Sequence, residues 1–201
     1  MHDEKILPVE EMVAWEEFTD RVEILRELDL WVKNIQRMAA PSTAIISPRR
    51  MGKTVLLDRL VNTVFFKPEY RVAPFYFRMK REDTTLRRFL LEYATTFFRQ
   101  YIAYCHQDPV LYQNMNVELA ELLDCPSDHK AVILAKDSIR GFLKRYKANN
   151  SPRNHWDAFV YIPEQLASYS GTRVAVIIDE FQDMRFYVHE VDDQTLKEIR
   201  R

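Results

Sequence analysis

The chain has 201 residues, with 29 Lys and Arg against 30 Asp and Glu, a net charge of −1 and 47% hydrophobic residues. That length suits one domain with a sizeable core, and the balanced charge argues against the strong basic field of a nucleic-acid binder and against an acidic disordered tail. No apolar run approaches 18 residues and no signal-peptide pattern follows Met1, so a cytoplasmic chain with no membrane partner is expected.

In chain order, residues 1–17 read as an acidic lead-in in which Pro8 argues against a helix. Asp20 with Glu23 has the capping-box spacing, and Ile24, Leu25, Leu28, Trp31, Val32, Ile35 and Met38 mark one helical face. Thr43–Ile46 is short, apolar and β-branched, and is expected to form a buried strand. A polar loop ending in Gly52-Lys53-Thr54 follows, and Val55, Leu56, Leu57, Leu60, Val61 and Val64 then recur at helical spacing. A second strand is expected at Val72–Met79, with Phe75 and Phe77 alternating and Pro74 pointing to a sheet edge.

The spacing then predicts a mostly helical stretch over 83–170. Asp83 is expected to cap a long helix in which Leu86, Phe89, Leu90, Tyr93, Phe97 and Tyr101 form an aromatic stripe, read as core rather than as a base-stacking platform. Shorter helices are expected at Val117–Leu123, Asp128–Tyr146 and Pro163–Tyr169, with Gly141 serving close packing and Gly171 stopping the last one. Cys105 and Cys125 read as small buried hydrophobes, and the five scattered His residues have no zinc-ligand spacing. Lys144, Arg145 and Lys147 read as a solvated helix face.

The chemistry sits in two places. Strand, loop, GK[ST], helix is the context of a phosphate-binding loop. Ser47, Pro48, Arg49, Arg50, Met51, Gly52, Lys53 and Thr54 would wrap the phosphates, with Val55 just inside the helix. Gly52 allows close backbone approach, the first helical N–H groups point at the anion, Lys53 meets the β/γ-phosphates and Thr54 suits Mg²⁺. One departure is Ser47, where the pattern has Gly. The second place is Val174-Ala175-Val176-Ile177-Ile178-Asp179-Glu180, a buried-strand pattern ending in two acids. Open α/β sheets bind ligands at that end of their strands, so Asp179 would hold Mg²⁺ and Glu180 would deprotonate the attacking water. Alone, the acids could equally end a core strand in a solvated turn; with Lys53 and Thr54 upstream they make a nucleotide site.

The segments SPRRMGKT, IIDEFQ and FTDR together resemble the archaeal-type P-loop ATPases of the AAA+/STAND group. Arg49-Arg50, Asp179-Glu180-Phe181-Gln182 and Phe18-Thr19-Asp20-Arg21 fall where that family has its arginine pair, its DEFQ and its F-x-G-R box, with Asp20 in place of Gly. Pro163–Ala167 resembles the short helix placed before the second acidic strand. The resemblance implies a three-layer α/β P-loop NTPase fold with a parallel sheet, ATP and Mg²⁺ as cofactors, and an adenine pocket touched by Phe18 and Arg21. A plain helix start is the other reading of that last segment. The resemblance also implies a fourth strand, a fifth and a helical lid beyond residue 201, so residues 1–201 are expected to be one ATPase domain cut after its second acidic strand. ATP hydrolysis driving a conformational switch is the leading expectation, and a nucleotide-binding regulatory module with negligible turnover is the alternative. A homo-oligomer, or a protein or DNA partner engaged through further domains, is compatible with either.

Overall fold

The computed structural model describes residues 6–7, 21–46, 51–148, 160–191 and 194–196. Its centre is a pair of parallel strands, β1 (Val72–Arg78) and β3 (Arg173–Asp179), in register from Val72 opposite Arg173 to Arg78 opposite Asp179. A parallel pair needs a long crossover. Here it runs through α3 (Leu86–His106), α4 (Pro109–Gln113), α5 (Lys130–Lys147) and α6 (Ile162–Ser170). Before β1 come α1 (Val22–Gln36) and α2 (Lys53–Phe65); after β3 come α7 (Met184–Tyr187) and the short β4 (Val188–His189). β4 pairs in parallel with β2 (Thr84–Thr85). The architecture is α/β with short parallel sheets, as expected. No helix among the described residues is long and apolar enough to cross a membrane.

The helix ends follow from local chemistry. Thr85, not Asp83, caps α3: its side chain accepts a 3.3 Å bond from the Arg88 N–H, while Asp83 Oδ1 lies 2.8 Å from His189 Nε2. Gln107 closes α3 in the left-handed region, φ 54°, and Gly171 does the same for α6, φ 77°. α1 begins after Arg21 with no side-chain cap, and Asp20, expected to open a capping box there, lies outside the described residues. The expected helix at Val117–Leu123 contracts to one 3-10 turn, Glu121–Leu123. Among the described residues Gly141 serves no close packing, because a β-carbon there would meet only the Arg145 side chain, at 3.9 Å.

The core draws on α1, α2, both long strands and the crossover helices, and its aromatic part lies on one face of β1. Phe75 and Phe77 point to it and meet the aromatic stripe of α3 edge to face, with Phe75–Tyr93 centroids 4.9 Å apart, Phe75–Phe97 5.2 Å and Phe77–Phe89 5.7 Å. Such pairs contribute about 0.5–1.5 kcal/mol each beyond the area they bury. Pro74 marks an edge, as expected, and that edge is closed by side chains. Gln100 Oε1 accepts from the Tyr76 N–H at 2.8 Å while its Nε2 donates to the Tyr76 carbonyl at 3.0 Å. The Tyr112 hydroxyl donates to the Pro74 carbonyl at 3.0 Å.

Two strand expectations need correction. Thr43–Ile46 forms no strand: residues 41–46 have no regular structure, and Ile46 is 93% exposed. Propensity alone does not make a strand, which needs a ladder partner, and β1 and β3 pair with each other instead. β3 is a strand as expected but is not buried on both faces. Ala175 and Ile177 are buried, whereas Val176 and Ile178 are exposed beside the covered Phe75 and Phe77, their register partners.

Candidate functional site

α2 starts where the phosphate-loop reading requires a turn of unusual geometry. Gly52 precedes it at φ 67°, ψ 28°, a left-handed conformation that glycine adopts without steric penalty. Lys53 and Thr54 are the first two helical residues, so their side chains leave from the N-terminal turn, where the N–H groups have no intrahelical partner. The free ends of those side chains meet the end of β3. The Thr54 hydroxyl donates to Asp179 Oδ2 at 2.8 Å across 125 residues of sequence, and Lys53 Nζ lies 3.3 Å from Asp179 Oδ1 and 3.7 Å from Glu180 Oε1.

The Asp179 side chain is 0% exposed. Burying a carboxylate demands donors, and four groups supply them. Oδ1 accepts from the Glu180 N–H at 2.9 Å as well as facing Lys53, and Oδ2 accepts from the Tyr76 hydroxyl at 3.3 Å as well as from Thr54. Burial pushes the Tyr76 phenol up, and the neighbouring Asp179 charge adds to the rise, so this hydroxyl stays protonated and serves as a donor.

Glu180 is more exposed and is held differently. Its backbone is left-handed, φ 56°, ψ 32°, a conformation that costs a non-glycine residue about 1–3 kcal/mol and recurs at functional sites. Its carboxylate faces Lys53, accepts from the Gln182 side-chain amide, and lies 3.5 Å from an Arg81 guanidinium nitrogen. Arg81 Nε also bonds Asp183 Oδ2 at 2.7 Å, which ties the turn after β3 to the segment after β1.

Of the residues expected at the site, Gly52, Lys53, Thr54, Asp179 and Glu180 converge. Arg21 joins them from another direction: a β-carbon on Gly52 would stand 3.7 Å from one of its guanidinium nitrogens. That places Arg21 against the turn at Gly52. Val55 is half-buried on α2, and Met51 is 51% exposed. Phe18, Ser47, Pro48, Arg49 and Arg50 lie outside the described residues. Sequence reading missed Tyr76, Arg81 and Asp183. The usable signal was positional: residues at the carboxyl end of β1 share a sheet edge with Asp179 once the two strands are paired in parallel.

Among the described residues no group of three His, Cys, Asp or Glu side chains could hold a metal ion. The donors present are one hydroxyl and one adjacent carboxylate, which fits a Mg²⁺ ion that takes its remaining ligands from water and phosphate rather than from a protein cage. No protein-family model, curated protein or solved structure matches the chain.

Proposed function

We propose that this chain binds ATP with Mg²⁺ and hydrolyses the terminal phosphate, acting as a nucleotide-driven switch with the P-loop NTPase fold of the AAA+/STAND type that its motifs resemble. The observation that carries the reading is the 2.8 Å bond from Thr54 to Asp179. It joins the first turn of a helix behind a left-handed glycine to the acid pair at the carboxyl end of a parallel strand, the juxtaposition such a site needs.

In this reading Lys53 turns from Asp179 and Glu180 to the β/γ-phosphates, and Thr54 and Asp179 hold Mg²⁺ directly or through water. When bound, Mg²⁺ neutralises charge on the phosphate oxygens. Glu180 orients the attacking water and takes its proton. Arg21 adds a cation beside Gly52, and Arg49 and Arg50 would serve the terminal phosphate or a neighbouring copy of the chain.

A second reading is a nucleotide-binding module with negligible turnover. What favours it is the engagement of Glu180 by Lys53, Arg81 and Gln182, which leaves its carboxylate committed to donors in this conformation. Phosphate release separates the two. Glu180→Gln should retain ATP binding and lose most turnover, because an amide holds water without accepting its proton. Turnover equal to wild type would remove Glu180 as base, and no turnover in wild type would select the binding module.

A further inference from the structure

Asp179 makes bonds that differ in how they survive ligand entry. Lys53 and Thr54 are the partners that a nucleotide and its cation would claim, since an ammonium moves to phosphate and a hydroxyl to metal. Two partners remain. One is the Glu180 N–H, 2.9 Å from Oδ1, fixed in the backbone; the other is the Tyr76 hydroxyl, 3.3 Å from Oδ2. Tyr76 is itself held in place, because its N–H and carbonyl are both bonded to Gln100, which is 5% exposed. Its position is set by the sheet: Tyr76 is opposite Ile177 in the parallel register, and Asp179 lies two residues further along the same face.

We propose that Tyr76 is a positioning residue for Asp179, and that its hydroxyl sets how tightly the site holds a divalent cation. This rests on the nucleotide reading given above. One bond to each carboxylate oxygen, from groups that stay when Lys53 and Thr54 turn away, fixes the plane of the carboxylate. A cation then meets an oxygen already oriented rather than one that must be ordered on arrival. Partners that orient metal-binding carboxylates in this way typically change metal affinity about 10- to 100-fold when removed.

The test is Tyr76→Phe, which deletes one hydroxyl and keeps the ring. A fluorescent ATP analogue is titrated at fixed concentration with MgCl₂, and its affinity is measured separately in EDTA. The variant should need roughly ten-fold or more Mg²⁺ for half-saturation, with the EDTA affinity and the melting temperature close to wild type. Unchanged Mg²⁺ dependence overturns the proposal. So does a parallel loss of affinity in EDTA, which would mark Tyr76 as a packing residue. If wild type itself binds the analogue with no response to Mg²⁺, the nucleotide reading fails first and the role of Tyr76 falls with it.

Discussion

Phe75 and Val176 are register partners on the same face of the same two strands, yet Phe75 is 1% exposed and Val176 is 40% exposed. The outer edge of β1 is bonded by the Gln100 and Tyr112 side chains. The β1 half is a finished wall, with an aromatic helix on one face and a sealed edge. The β3 half leaves Val176 and Ile178 exposed on that same face, and it carries the acid pair at its end. The lesson is that burial of a strand depends on what covers it. Val174–Ile178 has the composition of a strand buried on both faces, but only Ala175 and Ile177 are buried, because α3 covers Phe75 and Phe77 and stops there.

Mutation can break this comparison. The largest effect is expected at Phe75→Ala, which removes a ring packed against Tyr93 and Phe97 and should cost about 3–5 kcal/mol in urea unfolding. A loss under about 1 kcal/mol would mean the wall is loosely packed.

Alkali gives a graded test of the same half. Burial pushes the Tyr93 and Tyr104 phenols and the Cys105 thiol up to about 12, and raises Tyr101 and Tyr112 as well. An unfolded chain releases these protons near pH 8.5 for the thiol and about 10 for the phenols. Between those values and the folded ones the unfolded state binds fewer protons, so the stability slope is negative. The contribution is fully present below the unfolded values and is lost as pH rises towards 12. Thermal melts followed by circular dichroism should therefore be flat from pH 7 to 8 and fall steadily above about 10. Stability unchanged at pH 11.5 would show that these groups titrate as if exposed.

The smallest effect belongs to Val176→Thr. It should change stability by no more than about 0.5 kcal/mol, as for surface positions, despite its place opposite Phe75. A loss near that of Phe75→Ala would mean that something covers this face in solution.

Much of the candidate site's geometry was legible because its signals are local. Gly52-Lys53-Thr54 sets a left-handed turn and a helix start within three residues, and the Val174–Glu180 run sets a strand with acids at its end. Neither needs knowledge of the other. Tyr76 was hidden because alternation says that it points away from Phe75 and Phe77, but not that a parallel partner puts Asp179 on that side. Arg81 looked like an ordinary charge after a strand, and its bonds to Asp183 and Glu180 cross 102 and 99 residues of sequence. Thr43–Ile46 misled for the converse reason: its composition is strand-like, and composition carries no information about whether a ladder is available. Asp83 was read as the cap of α3, but its carboxylate lies against His189, and Thr85 accepts from the Arg88 N–H instead.

The central claim is that the cluster of Lys53, Thr54 and Asp179 is a nucleotide-phosphate site. Calorimetric titration of Mg·ATP into wild type and Lys53→Ala tests it most directly. A charge-assisted contact of this kind contributes about 1.5–3 kcal/mol, so the variant should bind roughly ten- to a hundred-fold more weakly. Equal affinity in the two proteins, or no binding in wild type, would contradict it.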